Sequence, residues 1–327
     1  MKRITLAAVA LGAIVALVMA AAPSRAESAF PTRTVRMIVP YPPGGGTDLL
    51  ARVLAQRLGE KWKQSVIVEN VGGAGGNVGA EQVFRAAPDG YTLLFASPGP
   101  LATNVFMYKK MPYDVAKWTP IAVVATSPYV LVVSPHFAAA NIAQVIADAK
   151  AKPGALTSAT PGIGSLGQFA TIEFEMLAKV KLLQVPYKGL GPAIADVLGG
   201  NVNMMFDMLA TSLPLDKAGK EKIVAVGSTQ RVPGLPDVPT LAEAGLPGYR
   251  AVTFFGLVAP PSMPDALADK INADVVACMK EPAFIDKTKA LGMDLSPTSR
   301  AEAAKFFADE RTLWGKVASE AGIQPTE

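Results

Sequence analysis

The chain has 327 residues with 31 basic and 27 acidic side chains, and no basic stripe along it suggests that it binds nucleic acid. Cys278 is the only cysteine and His136 the only histidine, which excludes an internal disulfide and would leave a zinc site dependent on carboxylates. The length is enough for two domains with cores of their own.

Residues 1–26 have the pattern of a secretory signal peptide. A short positive start, KR, precedes an almost wholly apolar run over residues 4–22, and the motif SRA at 24–26 resembles a cleavage site. An uncleaved membrane anchor is the alternative, because the run is nearly long enough to span a bilayer. Cleavage removes three basic residues and no acid, so the mature chain would carry a net charge of only +1.

Downstream of this segment, strand-like and helix-like runs alternate. Short β-branched runs such as VRMIVP and YTLLFAS are interleaved with helix-like runs such as LLARVLAQRLGEKW and NVGAEQVFRAA. A strand followed by a helix, repeated along the chain, predicts an α/β fold with a parallel or mixed sheet covered by helices.

The run TPIAVVATSPYVLVVS is too long for one ordinary strand, and Ser127-Pro128 is expected to break it midway. We interpret it as a strand that leaves one domain and enters another, with TFFGLVAP as the return crossing. This predicts a first lobe of residues 27–126 plus 253–327 and a second lobe of residues 127–252. Two crossings make a hinge, and a ligand cleft is expected between the lobes.

The stretch PYPPGGGTD at residues 40–48 lies between a predicted strand and a predicted helix. Its prolines end the strand, its glycines expose backbone amides, and Thr47 or Asp48 can cap the helix. A helix N-terminus of this kind can bind an anion. Taken alone, the residues fit a plain turn equally well, and a Walker P-loop is excluded because Gly-Lys-Ser/Thr is absent.

A second stretch of the same design, ATPGIGSLGQ at residues 159–168, precedes another predicted helix. Two helix N-termini that face each other across a cleft could each hold one end of a small anion. A nucleophile elbow would need glycine two residues before Ser165, where Ile163 stands. A Ser-His-acid triad could use only His136, which we interpret as a surface-loop residue.

The third glycine cluster, GGAGGNVG at residues 72–79, fails the dinucleotide fingerprint because Val78 occupies the last glycine position. We interpret it as a turn and a close-packed helix start rather than a ligand contact. Polar residues at predicted strand ends are further candidates, although such residues more often cap or pack. They are Ser97, Asn104, Asp207 and the tripeptide Tyr187-Lys188-Gly189.

Four segments together resemble the extracytoplasmic solute receptors of tripartite tricarboxylate transporters, the Bug-type receptors. The segments are VRMIVPYPPGGGTDLLARVLAQRL, VIVENVGGAGGNVGAEQVFRAAPDGYTLL, QVPYKGLGPAIADVLGGNVNMMFD and LPDVPTLAEAGLPGY. The resemblance covers nearly the whole mature chain. It implies a periplasmic, monomeric binding protein of type II-like fold, with two lobes that close on a small carboxylate ligand, without a cofactor or metal.

The resemblance also implies that the two loops grip the ligand carboxylate, often with ordered water. We carry a ligand-binding role over to the matching residues and add Ser97 from the strand ends. The resulting set is Tyr41, Pro42, Gly44, Gly45, Thr47, Asp48, Ser97, Thr160, Gly164, Ser165, Gln168 and Asp207. The chain departs from the family at two positions, with Gln168 where His is usual and Tyr41 where Phe is common. Gln is always neutral, so it would remove a pH-sensitive contact or change ligand choice.

The predicted function is capture of a small organic acid and its delivery to the permease subunits of a tripartite transporter, without catalysis. One alternative is an exported hydrolase or lyase that uses Ser165 or Asp207, for which the sequence supplies no obvious general base. The other is a receptor that reports its ligand to a sensor protein. The sequence does not predict which organic acid is bound.

Overall fold

The computed structural model describes residues 30–325, so the predicted signal peptide lies outside the described residues. The fold below is that of the compact unit Arg33–Glu327. Its strands are β1 (Val35–Val39), β2 (Val66–Asn70), β3 (Thr92–Ala96), β4 (Thr119–Val133), β5 (Thr157–Thr160), β6 (Leu183–Pro186), β7 (Met204–Met208), β8 (Lys222–Val226), β9 (Val252–Ala259) and β10 (Asp294–Leu295). Its α-helices are α1 (Gly46–Trp62), α2 (Asn77–Phe84), α3 (Ile142–Ala151), α4 (Leu166–Ala178), α5 (Leu190–Leu198), α6 (Leu209–Lys217), α7 (Asp265–Met279), α8 (Pro282–Ala290) and α9 (Arg300–Glu320).

The strands form one mixed sheet in the order β2-β1-β3-β9-β4-β7-β5-β6, with β8 and β10 also paired to β4. Parallel pairs lie at both ends, β1 with β2 and β3, and β5 with β6 and β7. The long antiparallel pair of β4 and β9 lies between them. Because parallel strands need crossover connections, helices follow β1, β2, β5, β6 and β7, and each begins near the carboxyl end of its strand.

Strand β4 changes its partner halfway along. Residues 119–128 pair with β9, whereas residues 129–133 pair with β7. The predicted interruption at Ser127-Pro128 was wrong, because β4 runs through it without a break. Pro128 has no N–H to donate, and it stands where pairing with β9 ends.

Each half of the sheet has its own buried cluster. Phe254, Phe307 and Trp118 belong to the first, and Val130 and Met205 to the second. Burial of such side chains contributes roughly 25 cal/mol per Å² of apolar surface and is the main stabilising term. Within residues 30–325, no helix is both long and apolar enough to cross a membrane.

The glycine cluster at residues 72–79 packs closely, as the sequence predicted. A Cβ atom at Gly79 would lie 2.5 Å from the carbonyl oxygen of Val71, so only glycine fits there. Gly73, Gly75 and Gly76 all have positive φ, which L-residues with side chains rarely adopt. The cluster therefore forms the tight entry to α2.

Candidate functional site

A cavity of about 280 Å³ lies at the carboxyl ends of the strands, where the loops after β1, β3, β5, β6 and β7 meet. We call it the cleft cavity. This is where ligands bind in open α/β folds. Its wall is formed by Tyr41, Pro42, Pro43, Gly44, Gly45, Thr47, Asp48, Ser97, Tyr129, Pro161, Ser165, Leu166, Gly189, Leu190, Gly191, Pro192, Ile194, Met208 and Thr211.

Four helices present their N-termini to the cleft cavity. The residues that precede α1, α4, α5 and α6 all lie in its wall, namely Gly45, Ser165, Gly189 and Met208. The first-turn N–H groups of a helix have no intrahelical acceptor, and the helix dipole makes that end positive. No side chain caps α1, α5 or α6, so this wall offers an anion several backbone donors.

The cavity wall contains no lysine, arginine or histidine, and Asp48 is its one acidic residue. The Asp48 carboxylate lies 2.9 Å from the Arg52 guanidinium and accepts hydrogen bonds of 3.0 Å from Gly44 N–H and from Asn70. Burial alone would raise the pKa of Asp48, but the hydrogen bonds from Arg52, Gly44 and Asn70 and the Arg52 charge hold it below its ordinary value. Asp48 therefore braces the loop, and its charge is countered.

The phenol of Tyr41 is a neutral donor in the wall. Ser97 donates a hydrogen bond of 2.9 Å to the Tyr41 oxygen, which leaves the phenolic proton to bond elsewhere. Burial raises the pKa of Tyr41 far above neutrality, so the phenol keeps its proton. The hydroxyl that Phe would lack is therefore fixed in place by Ser97.

The loop before α4 is folded back on itself. The Ser165 hydroxyl donates to the Gly162 carbonyl at 2.7 Å and accepts from Gln168 N–H at 3.3 Å. The Gln168 side chain accepts from Gly164 N–H at 2.9 Å. Thr103, from the turn after β3, donates to the Gly164 carbonyl at 2.5 Å. Gln168 and Gly164 thus shape the loop and do not form part of the cavity wall.

Asp207, at the end of β7, is fully buried behind the wall. Its carboxylate accepts from Met208 N–H at 2.7 Å, from Thr211 at 2.5 Å and from Ser212 at 2.9 Å. Burial raises the pKa of Asp207 to about 6, although these three hydrogen bonds oppose the shift. None of the ion pairs found within residues 30–325 involves it. Its charge therefore depends on pH near 6.

The structure brings eight of the twelve candidate residues to the cleft cavity: Tyr41, Pro42, Gly44, Gly45, Thr47, Asp48, Ser97 and Ser165. The other four, Thr160, Gly164, Gln168 and Asp207, are not part of its wall. Sequence reasoning missed the apolar part of the wall, which is formed by Leu166, Leu190, Ile194 and Met208. The run YKGLGP was a usable signal, since it is another glycine-containing junction of strand and helix.

The arrangement does not suit the hydrolase or lyase alternative. The Ser165 hydroxyl already donates to a backbone carbonyl, and His136 is exposed and absent from the cavity wall. The Asp207 side chain is fully buried, and its carboxylate already accepts hydrogen bonds from Met208, Thr211 and Ser212. Among residues 30–325, no group of three His, Cys, Asp or Glu side chains could hold a metal ion.

Comparison with known proteins identifies the family. The model of the tripartite tricarboxylate transporter family receptor matches residues 50–323. Protein BugT of Bordetella pertussis is 34% identical over 316 residues, which cover 96% of this chain and 97% of BugT.

Two solved structures share the fold. R. palustris Rpa4515 with adipate has a TM-score of 0.88 and 36% identity, covering 91% of this chain and 100% of that one. MatC from Rhodopseudomonas palustris with bound malate has a TM-score of 0.84 and 31% identity, covering 88% and 100%. The predicted fold class, a two-lobed α/β binding protein, is confirmed. The chain belongs to the tripartite tricarboxylate transporter receptor family, whose members are periplasmic solute-binding receptors and not enzymes.

Proposed function

We propose that this receptor captures a small aliphatic organic acid in the cleft cavity and delivers it to the permease subunits of a tripartite transporter. The observation that carries the proposal is the convergence of four helix N-termini on a cavity whose wall contains no cationic side chain. Such a site holds a carboxylate by backbone N–H groups and helix dipoles.

The apolar part of the wall supports an aliphatic body for the ligand. Leu190 and Ile194 of α5 lie beside Leu166 and Met208 in the same cavity. A carboxylate on the N–H groups would place its carbon chain against these side chains, where apolar burial stabilises binding. The adipate and malate in the related structures are carboxylates of this kind.

Ligand capture would be accompanied by closure of two lobes. The proposed lobes are residues 27–126 plus 253–327 and residues 127–252, with β4 and β9 as the hinge. The change of partner along β4 at Pro128 supports this division. Export through removal of residues 1–26, and a monomeric state in the periplasm, belong to the same proposal.

Thermal unfolding of the mature protein against a panel of acids tests the binding role. The panel contains succinate, malate, adipate and hexanoate, each beside its primary amide. A ligand that binds only the native state raises Tm, and about 100 Kd of ligand contributes about 2.7 kcal/mol. We expect at least one acid to raise Tm while its amide does not. Equal shifts with acid and amide, or no shift with any acid, would refute the carboxylate site.

Delivery to a permease is tested separately, by deleting the gene and measuring uptake of the acid found in the panel. Loss of uptake that the wild-type gene restores supports the transport role. Full uptake in the deletion strain, together with loss of a transcriptional response to the acid, would favour a receptor that reports to a sensor protein.

A further inference from the structure

A second cavity of about 210 Å³ lies away from the cleft and shares no wall residue with it. We call it the Arg311 cavity. Its wall is formed by Ala304, Phe307 and Arg311 of α9, by Leu101 and Val258, and by Val115, Ala116, Trp118 and Pro120. Four separate parts of the chain thus enclose one guanidinium among apolar side chains.

Arg311 differs from every other arginine within residues 30–325. The other eight each have a guanidinium nitrogen within 4.0 Å of a carboxylate oxygen, and Arg311 has none. The eight are Arg33, Arg36, Arg52, Arg57, Arg85, Arg231, Arg250 and Arg300. Arg311 is half-buried, and the hydrogen bond that its Nη1 donates to the Leu101 carbonyl is long, at 3.4 Å.

Asp114 does not supply the missing partner. It acts on Arg311 only through space, while its carboxylate accepts from Ala116 N–H at 2.9 Å and lies 3.9 Å from Lys117. Burial lowers the pKa of Arg311, which reflects the cost of holding this cation out of water. A half-buried guanidinium is normally compensated by an anion.

The tryptophans give an independent comparison. The indole N–H groups of Trp62 and Trp314 donate to Asp274 at 2.7 Å and to Glu310 at 3.0 Å. The indole N–H of Trp118 is buried and has no acceptor among residues 30–325, although the side chain is only 6% exposed. The one arginine and the one tryptophan without a carboxylate partner in this part of the chain therefore line the same cavity.

We propose that the Arg311 cavity is a second binding site, for a small carboxylate with an apolar body. The carboxylate pairs with the Arg311 guanidinium, whose planar fork suits two carboxylate oxygens, and the Trp118 ring lines the same cavity. The apolar body packs on Val115, Pro120 and Ala304, the more accessible apolar residues of the wall, and burying their surface stabilises it. This site is independent of the proposed function of the cleft.

Indole N–H resonances of ¹⁵N-labelled mature protein test the site, with sodium hexanoate as the probe and 1-hexanol as its uncharged counterpart. Trp118→Phe assigns the Trp118 resonance, and those of Trp62 and Trp314 are internal controls. We expect hexanoate to shift the Trp118 resonance saturably, and 1-hexanol to shift it little at the same concentration. No saturable shift, or an equal shift with 1-hexanol, overturns the proposal.

Variants identify the guanidinium and separate this site from the cleft. Arg311→Gln should weaken the hexanoate effect on Trp118 at least tenfold, whereas Lys316→Gln, which removes an exposed charge from the same helix, should leave it unchanged. Gly45→Asp, which alters the cleft, should also leave it unchanged. An unchanged response in Arg311→Gln, or its loss in Gly45→Asp, overturns the proposal. The comparison of hexanoate with 1-hexanol remains decisive if Arg311→Gln does not fold.

Discussion

The loop that precedes α1 and the loop that precedes α4 share a design but face the cleft cavity differently. Seven residues between 41 and 48 lie in the cavity wall, and the second loop contributes only Pro161, Ser165 and Leu166. The first loop is braced by its own neighbours, Arg52 and Asn70, through Asp48. The second is folded on itself through Ser165 and Gln168, and its Gly164 carbonyl also accepts from Thr103, a residue of the other proposed lobe.

This difference suggests different dependence on closure. A loop braced by partners of its own proposed lobe, as Arg52 and Asn70 are, keeps its N–H groups in place whether or not the two lobes are closed. A loop held by Thr103, which lies 61 positions away from Gly164, has that support only while the two segments are in contact. The first loop would therefore fix the carboxylate, and the second would determine how long it stays bound.

The largest expected effect follows from occupying the donors of the first loop with Gly45→Asp. Gly45 has an extended backbone (φ −78°, ψ 164°), and a Cβ atom there would meet only Leu190 at 3.8 Å, so the variant should fold. Its carboxylate would accept from the first-turn N–H groups of α1 and repel a second anion. We expect calorimetry with the best acid of the panel to show at least a 100-fold loss of affinity, about 2.7 kcal/mol.

Two matched variants separate charge from size at this position. Gly45→Ala adds only a methyl group and should change affinity less than about threefold. Gly45→Asn can cap the helix without a charge, and its affinity should fall between the other two. If a folded Gly45→Asp protein bound the acid as well as Gly45→Ala does, the N-terminus of α1 would not be the anion site.

The second expected effect comes from Thr103→Val, which removes the donor to Gly164. Thr103 is fully buried and absent from the cavity wall, so this variant acts on the ligand only through the second loop. An unpaired buried carbonyl costs about 1–3 kcal/mol. We expect roughly tenfold weaker binding, mainly through faster dissociation, measured by stopped-flow fluorescence. Thr103→Ser keeps the hydroxyl and is the control; a lower Tm with unchanged dissociation would contradict the role in closure.

The contrast between the loops also marks how much of the site the sequence could predict. The first loop was predictable because its determinants are local. Its prolines end the strand and its glycines turn the chain. Asp48 lies only four residues from Gly44 and accepts a hydrogen bond from the Gly44 N–H. The pairing of Thr103 with Gly164 was not, because no local pattern specifies a hydrogen bond between segments so far apart.

The alternation of strands and helices predicted the α/β fold, since hydrophobic periodicity is local. The pattern did not predict that β4 continues through Pro128. This continuation depends on the pairing of β4 with β9, which ends at Pro128. Nor did it predict the roles of α5 and α6. Their N-termini meet the cavity only because β5, β6 and β7 lie side by side. Gln168 was placed by resemblance, and Asp207 by its position at a predicted strand end as well as by resemblance. That neither forms part of the cavity wall required the three-dimensional structure.

A third, smaller effect distinguishes the two buried carboxylates near the cavity. Asp48 is compensated by Arg52 and has a lowered pKa, whereas the pKa of Asp207 is raised to about 6. As pH falls from 7.5 to 5.5, Asp207 gains a proton and the field at the N-terminus of α6 becomes less negative. We expect affinity for an acid that is fully ionised over this range to rise about threefold to fivefold.

The affinity of Asp207→Asn should equal the wild-type affinity at pH 5.5 throughout this range, as measured by calorimetry at several pH values. The stability of the protein should also rise as pH falls, because the native pKa of Asp207 is raised above 3.8 and protonation therefore favours the native state. The contribution of Asp207 protonation to the free energy of unfolding is complete below about pH 3.8 and is lost as the pH rises through about 6. If Asp207→Asn kept the full pH dependence of the wild type, another group would be responsible.

The smallest effect on binding is expected from Gln168→Ala, because Gln168 is not part of the cavity wall. The variant leaves Gly164 N–H without its acceptor, which should lower the free energy of unfolding by about 1 kcal/mol and affinity by less than about threefold. Gln168→His, the residue usual in the family that this chain resembles, can accept through one ring nitrogen and should recover stability at pH 8. Calorimetry and thermal unfolding measure both quantities. A tenfold loss of affinity at unchanged Tm in Gln168→Ala would mean that Gln168 touches the ligand, and the second loop would then bind it directly as the first one does.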